Sequence, residues 1–156
     1  MMEAIKELEV KERDRETGYF VKITEEIPST EEDIMDLADK VFDDMDRAAG
    51  METAVDCYYA LVEAMNNSLM HGNQGNPSKK IKLVYLRSDK KLSFSIEDEG
   101  EGFDVATIDQ KIKKTGSEFY YGTGGFGDRG LSMIAHLMDR IKYNDLGNVI
   151  RMEKYL

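Results

Sequence analysis

Leu61-Val-Glu-Ala-Met-Asn-Asn-Ser-Leu-Met-His-Gly72 is the stretch around which the rest of the chain is organised. At 3.6 residues per turn, Glu63, Asn67 and His71 stand at i, i+4 and i+8 and form one polar stripe. Val55, Tyr58, Leu61, Val62, Met65 and Leu69 recur at three- and four-residue spacing on the other side, so the spacing predicts a core-facing helix with its stripe at the edge of the core. A solvated face is the ordinary reading of such a stripe.

Working outward, the helix begins near Glu52 or Thr53 and ends at Gly72, because Asn73-Gln-Gly-Asn-Pro-Ser78 holds nearly every turn-forming residue type. Upstream, Tyr19 to Ile27 alternates with Tyr19, Val21 and Ile23 on one face, a first strand stopped by Pro28. Ser29 and Glu32 fit a capping box for a helix carrying Ile34, Leu37, Ala38, Val41, Phe42 and Met45 at helical spacing, stopped by Gly50. Residues 1–17 are charged and poor in apolar side chains, and read as a mobile or loosely helical extension, with residues 18–156 as one domain.

Downstream, Ile81, Leu83 and Tyr85 alternate, Ser88-Asp-Lys90 turns the chain, and Leu92, Phe94 and Ile96 alternate again. Period two carries Asp98 to the same face as Leu92, Phe94 and Ile96, the face the helices should cover. A carboxylate there is costly unless something donates to it. Val105 to Lys114 reads as a short helix with a basic end. Thr115 to Gly130 holds six glycines, at 116, 122, 124, 125, 127 and 130, a composition that suits a movable lid and also a plain disordered loop. A helix from Leu131 to Met138 comes next, and Arg140 to Asn144 with Val149 to Tyr155 form a hairpin around Asp145-Leu-Gly-Asn148.

Composition bounds the answer. The chain has 156 residues, 41% hydrophobic and 33% charged, enough for one soluble domain with a real core. No apolar run reaches membrane-spanning length, and the charged start is unlike a signal peptide, so a cytoplasmic protein without membrane contact is expected. The single cysteine, Cys57, can form neither an internal disulfide nor a metal cluster and reads as a plain buried residue. Of the net charge of −10, almost all falls in residues 1–50, which carry 7 Lys and Arg against 16 Asp and Glu. Without a basic stripe, direct nucleic-acid binding is not expected. The acidic half is either a docking patch for a basic protein or a solubilising surface.

Glu63-x-x-x-Asn67-x-x-x-His71-Gly72, then Glu97-Asp98-Glu99-Gly100-Glu101-Gly102-Phe103, then Gly122-Thr-Gly-Gly-Phe-Gly-Asp-Arg-Gly-Leu131 resemble, in order and rough spacing, the N box and two glycine boxes of the Bergerat-fold ATPases. That superfamily includes gyrase, histidine kinases and MutL. Within it the chain is similar to the small anti-sigma-factor serine kinases, over roughly residues 20–156, and Leu131 to Asp139 resembles the helix after their lid.

The resemblance implies an α+β fold, a two-layer sandwich of the histidine-kinase-like ATPase type, with a mixed, mostly antiparallel sheet and helices on one face. It implies ATP and Mg²⁺ bound between helix and lid. Asp98 would accept the adenine exocyclic amine, with Gly100 and Gly102 allowing close approach. Gly125, Gly127, Gly130, Leu131 and Arg129 would meet the phosphates. Asn67 would hold the metal, and Glu63 would orient or deprotonate the attacking hydroxyl. His71 reads as structural. The implied function is a serine/threonine protein kinase that phosphorylates a small antagonist protein and holds a sigma factor; the family also implies a homodimer, with Tyr19 to Ile27 and the first helix as its surface. Asp128 is a departure, standing where these kinases usually place a glycine, and an anion beside triphosphate is repelled unless it points away. A non-catalytic binding module, with or without nucleotide, is the rival reading.

Overall fold

The computed structural model describes residues 7–8, 18–102 and 128–156. In chain order the elements are β1 (Glu7–Leu8), β2 (Tyr19–Pro28), α1 (Glu31–Ala49), α2 (Met51–Asn67) running into a π-turn (Ser68–Gly72), β3 (Lys80–Ser88), β4 (Lys91–Asp98), α3 (Asp128–Leu137), β5 (Arg140–Tyr143) and β6 (Val149–Tyr155). The strands form one sheet in the order β1-β2-β3-β4-β6-β5. The α+β, two-layer class read from the sequence holds; where the resemblance allowed a mixed sheet, every described pairing is antiparallel.

One face of the sheet builds the core. Ile23, Tyr85, Phe94 and Met152 stand side by side across β2, β3, β4 and β6. All are buried, as are Leu83 and Ile96 one step along. Ile34, Leu37, Val41 and Met45 of α1 and Leu61 and Met65 of α2 close over them. Burying each such side chain contributes about 1.5 to 3 kcal/mol, which is why the period-two and period-3.6 patterns are realised together. The Tyr85 ring lies 5.2 Å from the Phe94 ring, and its hydroxyl, which cannot stay unpaired in a core, donates to Asp44 of α1. Arg87 holds the same carboxylate through two nitrogens at 2.9 and 3.1 Å, so α1 is clamped to β3.

α2 is the middle helix of its layer, with α1 on one side and α3 on the other. That placement explains a stripe that periodicity alone does not single out: Ala54, Cys57, Ala60 and Ala64 are fully or almost fully buried, and their small size lets neighbouring backbones approach. Burial pushes the Cys57 thiol up to about 12, the state of an inert packing residue, as expected for a lone cysteine.

Four local readings shift. The cap of α1 is Thr30 and not Ser29: Thr30 is extended and its hydroxyl accepts from the Asp33 amide at 3.1 Å. Ser29 is drawn instead to β3, donating to the Lys79 carbonyl at 2.7 Å. Gly50, at φ +86°, is the whole link between α1 and α2, so α2 starts at Met51. Glu7–Leu8, inside the stretch read as an extension, pairs with Lys22 and Ile23 of β2. The helix read at Val105 to Lys114 and the glycine-rich segment up to Gly127 lie outside the described residues, and α3 begins three residues before the Leu131 expected for it.

Candidate functional site

Glu63 and Asn67 sit one turn apart near the end of α2, both half-buried. Gly130, in the first turn of α3, is packed so closely on Glu63 that a Cβ there would overlap the carboxylate oxygen. The missing side chain allows this approach, which brings the Glu63 carboxylate to the first turn of α3, the helix end that favours negative charge. Burial raises the Glu63 pKa above the usual carboxylate range, which suits a group that must take up a proton.

The polar stripe does not continue past Asn67 as a plain α-helix predicts. From Ser68 the chain widens into the π-turn, closed by the Asn73 amide on the Ser68 carbonyl at 2.8 Å. A π-turn inserts one extra residue and re-aims the side chains after it, a device frequent at functional sites. His71 is thereby turned out to an exposed position. Gly72 is turned in: a Cβ on it would overlap the carboxylate of Asp98, so the absent side chain is what lets β4 deliver that aspartate against α2.

Asp98 is only 8% exposed. As period two predicts, it lies on the core face, and the donors that make this tolerable are the Gly100 amide, 2.8 Å from Oδ1, and the Ser68 hydroxyl. Burial raises the Asp98 pKa, more than these two donors and Lys79 lower it; Glu97 pushes it up further. Its main chain is bonded to Asn148 in the β5–β6 turn, Asp98 amide to Asn148 carbonyl at 3.0 Å and the Asn148 side chain back to the Asp98 carbonyl at 3.3 Å. Tyr143 of β5 also faces this carboxylate, and burial with the Asp98 charge raises its pKa.

Gly100 and Gly102 serve backbone packing. Gly100 lies on the Gly72 carbonyl, and Gly102, at φ +82°, lies on the Leu146 carbonyl. Leu131 is 6% exposed. Gly125 and Gly127 are outside the described residues, as are the side chains of Asp128 and Arg129, whose backbones open α3. Glu63, with Gly130 against it, thus stands near the end of α2, and Asp98, with Gly100, meets the π-turn that follows it.

A folded pKa above the unfolded one means the native state holds the proton of Asp98 more tightly than the unfolded chain does. The charged form is therefore a burden that grows as pH rises from the unfolded pKa through the folded one, and is absent below both. Asp98→Asn should show it: on acidification from neutral pH, wild-type stability, measured by denaturant midpoints, should rise relative to the variant and then level off. A constant difference across that range would count against a buried charge.

Residues 27–154 match the family of the histidine kinase-like ATPase domain. The chain belongs to that family. Among its relatives, a serine-protein kinase RsbW of Listeria monocytogenes serotype 4a (strain HCC23) is 33% identical over 110 residues, 67% of this chain and 68% of the relative. The serine-protein kinase RsbW of Listeria innocua serovar 6a is 32% identical over 110 residues, again 67% and 68% of the two chains. An anti-sigma F factor of Bacillus cytotoxicus is 26% identical over 110 residues, 68% of this chain and 72% of the relative.

For a histidine kinase-like ATPase, the sequence motifs miss part of the surroundings of Asp98. Ser68, Asn73, Asn148 and Tyr143 carry no pattern of their own. The one available signal for Ser68 and Asn73 is their proximity to Asn67 and the turn.

Proposed function

We propose that the protein is an ATP-dependent serine/threonine protein kinase that acts in the cytoplasm as an anti-sigma factor, phosphorylating a small antagonist protein and holding a sigma factor. Family membership and the names of the relatives support this reading. The structural observation that carries it is the half-buried Glu63 carboxylate with raised pKa, which α2 presents to the first turn of α3 one turn before Asn67.

In this reading Asp98 accepts the adenine 6-amino proton, and the amides opening α3 face the phosphates. The half-buried Asn67 carboxamide fits magnesium, which keeps most of its waters and takes few protein oxygens. When bound, the ion offsets phosphate charge. Glu63 takes the proton from the serine or threonine hydroxyl as its oxygen bonds to the γ-phosphorus and the bond to the ADP oxygen breaks. Binding the sigma factor and its antagonist calls on the protein surface alone, with no contact to nucleic acid or membrane; no helix among the described residues is long and apolar enough to cross a bilayer.

The test is incubation with γ-labelled ATP and candidate antagonists. Label on a serine or threonine of one of them is the expected result. Nucleotide binding without transfer to any of them favours the non-catalytic module, a reading Asp128 in the second glycine box keeps in view. Asp98→Asn, in calorimetric titration with Mg-ATP, should lose about 1 to 3 kcal/mol of binding, the range for a buried hydrogen bond broken on one side. Unchanged affinity would remove Asp98 from the adenine site.

A further inference from the structure

Asn73 is the residue that follows the π-turn. It is fully buried in a stretch whose composition reads as a surface turn. Its carboxamide uses both ends: the nitrogen donates to the Ser29 hydroxyl at 2.8 Å and to the Lys80 carbonyl at 2.9 Å, and the oxygen accepts from the Glu99 amide at 2.8 Å. Ser29 in turn binds the Lys79 carbonyl through both its hydroxyl and its amide. Glu99 is fixed a second time, its carboxylate accepting from the Lys80 amide. One side chain thus ties the β2–α1 corner and the start of β3 to the residue between Asp98 and Gly100.

The π-turn is what brings Asn73 there, since it directs Gly72 at Asp98 and the next side chain beneath the loop. Glu99 is itself exposed, so without this acceptor its amide would face water and the loop could rotate about it. Rotation there moves Asp98 and the Gly100 amide that orients its carboxylate. Neither a hydroxyl nor an apolar residue at position 73 offers two donors and an acceptor in one plane.

We propose that Asn73 is a positioning residue for base recognition: by holding the Glu99 amide it keeps the Asp98 carboxylate aimed at the purine 6-position. This rests on the adenine reading of Asp98. The experiment uses the full chain and two ligands, Mg-ATP and magnesium inosine triphosphate, which carries a carbonyl in place of the 6-amino group. Affinity for each is measured by calorimetric titration, with thermal midpoints alongside. Wild type should prefer ATP. Asn73→Ala should lose about fivefold to tenfold of that preference, the worth of one well-aimed hydrogen bond. Ser29→Ala, which removes a bond from the same cluster without reaching Glu99, should lower the midpoint and leave the preference intact.

Equal wild-type affinity for the two nucleotides would sink the adenine reading and this proposal together. A wild-type preference that Asn73→Ala retains, or that Ser29→Ala loses equally, would overturn the positioning role and leave the adenine reading standing. Should Asn73→Ala not fold, amide hydrogen exchange on nucleotide-free wild type decides. The Glu99 amide should exchange as slowly as the β4 ladder although its residue is exposed, and exchange at the rate of an open turn would overturn the proposal.

Discussion

Replacing Glu63 with Gln should slow phosphoryl transfer by about 10²- to 10⁴-fold, the range for a lost general base, while nucleotide binding persists. Gln keeps the volume that Gly130 packs against, so α3 should stay docked and the loss should fall on the chemical step. The pH profile sharpens the test. Glu63 accepts a proton only when ionised, so activity falls as pH drops through its folded pKa. Because burial raises that pKa, the fall should begin above the pH at which a solvated glutamate would protonate. In Glu63→Gln the acidic limb should vanish. A variant with wild-type turnover and an unaltered profile would show that Glu63 only packs beneath α3.

Gly102→Ala should be the most damaging single methyl in the described structure. The backbone there has φ +82°, a region alanine reaches only with strain, and the added Cβ would overlap the Leu146 carbonyl oxygen, a backbone atom that cannot swing aside. Strain and overpacking together cost on the order of 2 to 5 kcal/mol. For a chain of this size that lowers the melting midpoint by on the order of 10 °C. The β5–β6 turn would yield first, and through Asn148 it carries the Asp98 main chain with it, so Mg-ATP affinity should fall as well. Gly72→Ala makes the contrast: its Cβ would meet the Asp98 side chain and no backbone atom, and its backbone is outside the left-handed region. Calorimetry on both variants should find Gly102→Ala much the less stable. Equal midpoints would mean the turn gives way more easily than its geometry allows.

Much of this is written in one-dimensional pattern. Period two places Asp98 on the core face, and the spacing of Glu63 and Asn67 puts both on one side of α2, because backbone geometry dictates these positions and neighbours rarely overrule it. The features that escape pattern depend on partners far along the chain. Ser29 and Thr30 are equally able to cap a helix, and the choice falls to Thr30 only because Lys79, fifty residues away, claims Ser29. Asn73 has the look of a turn residue; its burial comes from three separate segments converging on it. The π-turn has no compositional mark, and it breaks the stripe at His71. Gly100 and Gly102 read as room for a purine, and pattern does not show that their missing side chains also admit the carbonyls of Gly72 and Leu146.

The sheet order also bears on how the protein must be made. β4 finds one neighbour at once in β3, but its other neighbour is β6, translated about fifty residues later. Until the ribosome has released Val149–Tyr155, the strand that bears Asp98 has a bare flank, and the Asn148 contacts that seat it do not exist. A nascent or proteolysed chain ending anywhere between them is thus both inactive and open to pairing with another copy's strand. Competence and protection from aggregation should appear together, when β6 pairs with β4.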